Sequence, residues 1–459
     1  MYALLVIMSR HKRPSPDGSP CCVVRDGPTT FEELERWAKE IVAEYKQAEV
    51  CLPSWLAHLK RLAVTSKWSG CGGMNFAVMK IIKALKEIYD IEIVVLCHSV
   101  CDNDGVCQGL LKTFNCQHLN SDLLDQYDSE VVSKIYHKMT YLQQRLQDFT
   151  QTRHTAQEKK DMKHKLTCEL KAYIVLLAPT ARWPRTAPCL KHSSSDNIRR
   201  CALAPSLSEE DVWLEVVSPN CQPWSRKGLQ LGWLQFENLP TIMWSLSLPI
   251  FKPHLVALEC TSGFDIAFVE TLSGRHFETV LLAPPHVGIP MTGERLWGFS
   301  ASGAGLEVSP EMFAPDKIDK FVRKEVVADF QSLFCKASDA ELCHYKSHVN
   351  ATQARIPAHP RQKQYRWEDV ISTGHGTRLA HHRLTAANKR TEDPSLGAQA
   401  WDIKDCPSHH KRPGAPGSHH VPLLPRPLTN SFIWLEGLER PMMPVEVLAA
   451  QGPTSFLKT

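Results

Sequence analysis

The sequence has no apolar run long enough to cross a bilayer: YALLVIM at residues 2 to 8 is the only such run near the N-terminus, well short of the roughly 20 residues a spanning helix needs. That run also lacks a basic start and a small-residue cleavage site, so no secretory signal is read and the chain is expected to be intracellular. Neither charge sign dominates. Lys plus Arg number 53 and Asp plus Glu 49, a formal balance of +4, compatible with a nucleic-acid partner without assigning one. Sixteen cysteines in 459 residues fall well below the density of a disulfide scaffold, and most are expected as free thiols. The glycine cluster SGCGG at residues 69 to 73 is not followed by Gly-Lys-Ser/Thr, which excludes a phosphate-binding loop, and GCGGMN does not complete G-x-G-x-x-G. No internal repeat is present. At this length two domains, or one large domain with a smaller partner, are expected.

Residues 1 to 28 are basic and rich in Pro and Ser, and read as a flexible arm. Thr30 and Glu33 form a Thr-x-x-Glu capping box that opens a helix. The stretch LAVTSKWSGCGGMNFAVMKIIKALKEIYD predicts a short strand, a glycine turn and a helix of about four turns, with Phe76, Met79, Ile82 and Leu85 apolar. IEIVVLCHSV follows as a buried parallel strand ending at CDND, then GVCQGLLKTF as a second helix. Strand, glycine turn, helix, strand and acidic residue open a doubly wound α/β fold that binds a nucleotide-like ligand. A small, non-phosphorylated adenosine ligand suits this glycine turn, with Asp102 placed to bond ribose hydroxyls.

Residues 131 to 178 are polar and helical, and 179 to 208 form a loop containing Pro, Ser and Arg. They read as an insertion, because VWLEVV at 212 to 217, PHLVALE at 253 to 259, FETVLLAP and RLWGFSA resume a strand pattern. Residues 306 to 345 read as mixed and helical, and 346 to 430, rich in His, Arg, Pro and Gly, as irregular. FIWLEGLERPMMPVEVLAAQG restores a strand, a turn and a short helix. Cys406, His409, His410, His419 and His420 match no strong zinc-finger spacing and read as a solvated, weakly basic loop, so no metal is assigned.

The stretch VVSPNCQPWSRKG sets Cys221 between Pro219 and Pro223 at the end of a strand. Prolines brace the loop, and the sheet edge is where α/β folds put ligand sites. A cysteine nucleophile acts as its thiolate, which the nearby Arg226 and Lys227 would favour. Glu259 in LECTSGF is a carboxylate at the end of an apolar strand, costly to bury unless protonated, paired or used.

These stretches resemble the cytosine carbon-5 methyltransferases, which methylate cytosine in DNA and, in one branch, in transfer RNA. SPNCQPWSRKG is similar to the family's Pro-Cys-Gln motif, and WSGCGG to its Phe-x-Gly-x-Gly-Gly cofactor loop. LECTSGF resembles Glu-Asn-Val, ERLWGF resembles Gln-x-Arg-x-Arg, and RPMMPVEVLAAQGP resembles Arg-x-Leu-Thr-x-x-Glu-x-x-x-x-Gln-Gly. The five matches occur in family order between residues 64 and 453. The resemblance implies a Rossmann-like S-adenosylmethionine-dependent methyltransferase fold: an N-terminal arm and helix (1 to 60), a catalytic domain (61 to 304) with a helical insertion at about 131 to 208, a smaller, partly irregular target-recognition region (305 to 430), and a return segment (431 to 459).

By the same resemblance, Cys221 adds to carbon 6 of an extruded cytosine, Glu259 bonds ring N3 and the exocyclic amine, and Arg295 holds the base and Glu259. Pro219, Gln222 and Ser225 shape the substrate loop. Trp68, Gly70, Gly72, Gly73, Asp102 and Asp122 contact S-adenosyl-L-methionine, Asp122 through the adenine amine. DNA is the implied partner, with RNA as the alternative, and the nucleus the implied location. The chain departs from the pattern at Cys260, where the family has Asn, at Met291 and Gly293 in the arginine motif, and at Ser66, where an acid is expected. About 98 residues separate Asp122 from Cys221, and the sequence ends at Thr459 soon after AAQGP, without the family's Gly-Asn segment. A divergent, C-terminally truncated relative, or an inactive one that only binds nucleic acid or protein, follows as the alternative.

Overall fold

The computed structural model describes residues 25 to 48, 56, 58 to 70, 72 to 194, 196 to 225, 228, 230 to 303, 306, 308, 322 to 335 and 337 to 345. In the C-terminal part it describes 367, 371 to 393, 395, 397 to 404, 423 to 425 and 431 to 450. The basic N-terminal arm up to residue 24, Arg226 and Lys227, and the Cys406 to His420 cluster lie outside these described residues. The chain divides into two compact units. One comprises Met1–Asp17, Ile41–Leu282 and Arg295–Lys317, the other Gly18–Glu40, Ala283–Glu294 and Ile318–Thr459.

The first unit is built on seven strands: β1 (Arg61–Lys67), β2 (Val94–Cys101), β3 (His118–Asn120), β4 (Asp211–Val217), β5 (Leu255–Thr261), β6 (Glu278–Leu282) and β7 (Arg295–Ala301). Their order across the sheet is β3-β2-β1-β4-β5-β7-β6. Strands β1 to β5 pair in parallel, whereas β7 runs antiparallel to both β5 and β6. Strand β4 is buried along its whole length, the signature of a central parallel strand covered on both faces. Strand β2 departs from the sequence expectation: only its last four residues are buried, because its outer neighbour β3 pairs with Ser99, Val100 and Cys101 alone.

Helix α1 (Gly73–Tyr89) follows β1 and buries Val78, Ile81, Ile82 and Leu85, spaced to line one helical face. It ends at Asp90 in the left-handed region, whose N–H bonds the Lys86 carbonyl. Asp104 caps α2 (Gly105–Leu111) by accepting from the N–H groups of Val106 and Cys107. The polar 131 to 178 stretch forms an antiparallel pair, α3 (Ser129–Gln151) and α4 (Ala156–Leu177). Val131, Ile135, Met139, Leu142 and Leu146 of α3 face Leu166, Leu170 and Ile174 of α4 in the main core cluster. A Thr155–Glu158 capping box starts α4. The following segment, read from sequence as a loop, contains a two-stranded hairpin of Thr186–Pro188 and Arg200–Ala202. Helix α5 (Leu239–Phe251) is buried on nearly all sides, and α6 (Ile266–Ser273) stops at Gly274 in the left-handed region.

In the second unit, Ala400–Asp402, Ile433–Leu435 and Arg440–Pro441 form an antiparallel sheet, and Arg25–Asp26 pairs in parallel with Lys324–Glu325. Two expectations are corrected here. Thr30 does cap Phe31–Glu35 by accepting the Glu33 N–H, but the Glu33 carboxylate bonds Thr29 instead, through its N–H and hydroxyl at 2.8 Å each, so the reciprocal box shifts by one residue. Within the stretch expected to be irregular, Thr373–Glu392 is a 20-residue helix. Ser372 caps it, and Leu379, His382 and Ala386 are buried at helical spacing despite the polar composition. Among the described residues no helix is long and apolar enough to cross a membrane.

Candidate active site at the carboxyl edge of the sheet

Lys67 pairs with Val217 and with Cys101, and Val217 pairs with Leu258. The loops that follow β1, β2, β4 and β5 therefore leave one edge side by side. Arg295, at the start of the antiparallel β7, pairs with Thr261 and joins the same edge. Trp68, Gly70, Gly72, Gly73, Asp102, Pro219, Cys221, Gln222, Ser225, Glu259 and Arg295 lie at or just beyond this edge, with Asp122 just after the neighbouring end of β3. This is the crevice position of doubly wound sheets.

The glycine turn is held from several directions. Trp68 adopts φ 52°, a left-handed conformation that costs a bulky residue on the order of 1–3 kcal/mol and persists only when its surroundings fix it. Its ring meets Trp244 edge-on at 6.4 Å. Trp244 is anchored by donating its Nε1–H to the Glu215 carboxylate at 2.7 Å. The other Glu215 oxygen accepts from the Thr65 hydroxyl at 3.1 Å, so a buried carboxylate bonded at both oxygens ties β1, β4 and α5 together.

Asp102 closes the turn: its Oδ2 accepts the Gly70 N–H at 2.7 Å and its Oδ1 the Asp104 N–H at 3.0 Å. A carboxylate has about four acceptor sites, so two bonds leave room for further donors. A Cβ built on Gly70 or Gly73 would meet nothing within 4 Å, whereas on Gly72, at φ 78°, it would fall 2.4 Å from the Phe114 ring. Gly70 and Gly73 thus border open space, while Gly72 is packed. Gly72→Ala is expected to lower stability by about 1–3 kcal/mol, read as a reduced urea midpoint; an unchanged midpoint would show that Phe114 does not constrain the turn. Asp122 bonds the Leu124 N–H at 2.8 Å, forming an Asx turn at the end of β3. Burial, with Asp122 beside it, pushes the Asp125 carboxyl up.

The cysteine loop is a single tight turn. The Cys221 carbonyl accepts the N–H groups of Trp224 at 3.1 Å and Ser225 at 2.9 Å, and Asn220 Oδ1 accepts the Gln222 N–H at 3.0 Å. Ser225 Oγ accepts from Gly228 N–H at 3.1 Å, and a Cβ on Gly228 would lie 1.9 Å from the Gln222 carbonyl oxygen, so only glycine fits there. Pro219 is held by the Cys260 thiol, which donates to its carbonyl at 3.7 Å. Burial, then Glu259 and the nearby Cys221, push the Cys260 thiol up. Cys221 itself is half-buried and has a free thiol.

Glu259 and Arg295 form an ion pair, Nε to Oε1, at 2.7 Å, with side chains 20% and 10% exposed. Neither stands alone in the low-dielectric edge, as two largely buried charges require.

Sequence reasoning missed the brace behind the cysteine turn. Trp224 meets Trp233 at 5.1 Å and Phe264 at 5.3 Å, and its Nε1–H bonds Asn238 at 3.2 Å. Asp265 accepts from Trp233 Nε1 at 2.9 Å and from Lys171 Nζ at 2.7 Å, fastening helix α4 to this brace. The aromatic residues of PWS, LGWLQF and TSGFD were its only signal in sequence. Lys67, buried at the end of β1, donates to the side-chain amide oxygen of the buried Gln126; its place in the motif gave no sign of this.

The strand order with an antiparallel seventh strand, and the glycine turn after the first, define a Rossmann-like α/β fold of the methyltransferase type, the fold class that the sequence resemblance implied. Among solved structures, the chain is similar to the S. pombe Dnmt2 methyltransferase, at 15% identity and a TM-score of 0.31, covering 63% of this chain and 67% of that one. It is similar to a Spodoptera frugiperda DNMT2 mutant at 14% and 0.25, covering 53% and half of that chain's length. A putative DNA modification methyltransferase encoded within an E. coli prophage aligns at 12% and 0.32, covering 85% and 88%. No protein-family model and no curated protein matches the chain.

Proposed function

We propose that this chain is an S-adenosylmethionine-dependent methyltransferase acting on carbon 5 of cytosine in DNA. The observation that carries this reading is the convergence at one sheet edge of a half-buried thiol on a rigid turn, a paired Glu259–Arg295 and an open glycine turn. A target base turned out of its stack would enter between these elements. Cys221 would add through its sulfur to carbon 6, raising electron density at carbon 5; once carbon 5 carries the methyl group, loss of its proton to a base or water would break the sulfur–carbon 6 bond and return the thiolate. Glu259 would bond N3 and the exocyclic amine, stabilising the charge that addition pushes into the ring, while Arg295 holds Glu259 in register. S-adenosylmethionine, when bound, supplies the methyl group. The residues fit such a cofactor: Gly70 and Gly73 leave its approach free, Asp102 keeps acceptor capacity for ribose hydroxyls, and Asp122 keeps a second carboxylate oxygen for an amine.

The test is covalent trapping with 5-fluorocytosine in duplex DNA, in single-stranded DNA and in RNA, each with S-adenosylmethionine. A denaturation-resistant adduct with duplex DNA is expected. An adduct with RNA alone would move the substrate to RNA, and no adduct with any substrate would leave a nucleic-acid or protein binding module instead.

A second variant isolates the cofactor contact. Gly73 opens α1, where alanine is favoured over glycine, and nothing lies within 4 Å of the added Cβ. Gly73→Ala is therefore expected to keep or raise the melting temperature while weakening S-adenosylmethionine binding about tenfold, or ~1.4 kcal/mol, by calorimetry. Unchanged affinity would remove Gly73 from the cofactor site.

A further inference from the structure

Away from the sheet edge just described, four side chains with metal-ligating atoms converge at the outer end of the sheet. They are His118, the first residue of β3, and Cys189, His192 and Cys201 of the hairpin that follows α4. All four donor atoms lie within 4.8 Å of one another. His192 Nδ1 is 3.1 Å from Cys201 Sγ and 3.4 Å from Cys189 Sγ, and Cys189 Sγ is 4.0 Å from His118 Nδ1. With Zn–S near 2.3 Å and Zn–N near 2.0 Å, tetrahedral geometry separates sulfur from nitrogen by about 3.5 Å, so the observed distances bracket a zinc sphere.

The backbone builds this arrangement. Leu190 N–H bonds the Leu119 carbonyl at 2.7 Å, and Asn120 Nδ2 bonds the Pro188 carbonyl at 2.7 Å, laying the hairpin along β3. The Cys189 carbonyl accepts from the N–H groups of His192 at 3.2 Å and Ser193 at 3.0 Å, a turn that brings the two side chains together. Lys191 lies between them in sequence, yet its ammonium is committed to the carbonyls of Phe114 at 2.7 Å and Cys116 at 2.8 Å. The cluster thus contains two thiols, both free, and two imidazoles. His118 and His192 also line a surface pocket with Asn115, Cys116, Gln117 and Lys191, which gives an ion a route in.

We propose that His118, Cys189, His192 and Cys201 form a structural zinc site that pins the hairpin to the three-residue edge strand β3. Four protein ligands make it a closed site, without the open position that zinc catalysis uses. An edge strand this short gains little from its own ladder, and a metal link across it would supply what pairing does not. The site is independent of the methyl-transfer reading, since it touches none of the proposed catalytic residues.

The test is metal content and ligand identity in the full-length protein. One zinc per chain is expected by elemental analysis after purification with zinc and without strong chelators. Cobalt substitution is expected to give a thiolate-to-cobalt absorption band that zinc displaces. Cys201→Ala should lose the metal and the band, Cys201→His should keep the metal, and Cys343→Ser, in the second unit, should change neither. Because Cys201→Ala could unfold locally, a second readout uses the wild type alone: a chelator should release zinc and expose two further reactive thiols. Folded wild-type protein that binds no zinc, or thiol titration and mass spectrometry showing Cys189 and Cys201 joined as a disulfide, would overturn the proposal. So would zinc retention in a folded Cys189→Ala, Cys201→Ala double variant.

Discussion

Cys221→Ser is expected to abolish both methyl transfer and covalent trapping while leaving the fold intact. The turn is held by the carbonyl of residue 221, which accepts from Trp224 and Ser225, and by Asn220; the sulfur takes no part in it. A serine hydroxyl is a far weaker nucleophile without an adjacent base, and removing a nucleophile outright typically costs on the order of 10⁴-fold or more in kcat. Transfer of a labelled methyl group should therefore fall to background, with the S-adenosylmethionine affinity and melting temperature unchanged. Cys260→Ser makes the contrast, because a serine hydroxyl can still donate to the Pro219 carbonyl that the Cys260 thiol holds; activity should fall only a few-fold. Near-normal turnover in Cys221→Ser would remove the nucleophile from the mechanism.

The second large effect is on stability and lies in the other unit. Arg440 Nη1 and Nη2 bond the two Glu446 oxygens at 2.7 and 2.6 Å, with side chains only 7% and 1% exposed. Glu446 also accepts the Met443 N–H at 2.8 Å, at the start of Pro444–Ala450, and the Ala337 N–H at 3.2 Å. Glu446→Ala would leave a buried guanidinium without its carboxylate, a change that typically costs about 3–5 kcal/mol. Urea unfolding read by hydrogen exchange across Ile433–Leu435 should show that loss. Glu446→Gln, which keeps acceptors for the backbone, should lose less, and Arg440→Met with Glu446→Leu should recover much of the loss, since an apolar pair removes the stranded charge. A loss below about 1 kcal/mol in Glu446→Ala would show that water reaches Arg440 freely.

This pair also shows what the sequence made legible. Arg440 and Glu446 were matched only as letters at a spacing, and the structure gives the spacing its cause: one turn of chain brings the glutamate back onto the arginine and onto the helix start. The alternation of strands and helices was readable because six strands of the main sheet are five to eight residues long and carry apolar runs, whereas β3, His118–Asn120, is too short to leave a pattern. Arg295 pairs with Thr261, two residues from Glu259 on the same strand, because β7 runs antiparallel to β5; that direction, which lets the two side chains meet, is one that no local pattern encodes. Glu215 looked like one polar residue in VWLEVV, and its role depends on Thr65 and Trp244, distant in sequence. The helix Thr373–Glu392 was hidden by its own composition, since it buries only Leu379, His382 and Ala386, along one narrow face. The convergence of His118 with Cys189, His192 and Cys201 was invisible because it joins a β-strand to a hairpin beyond a two-helix insertion; Cys-x-x-His at 189 to 192 was the only local trace.

The second unit is assembled from Gly18–Glu40, Ala283–Glu294 and Ile318–Thr459, with Arg25–Asp26 paired to Lys324–Glu325. During synthesis the first of these pieces leaves the ribosome long before its partner strand exists, and at about 5–20 residues per second it waits on the order of tens of seconds. The sheet of the first unit can close in that interval, so the order of translation favours completing the methyltransferase-type unit first and enlisting the waiting N-terminal piece afterwards.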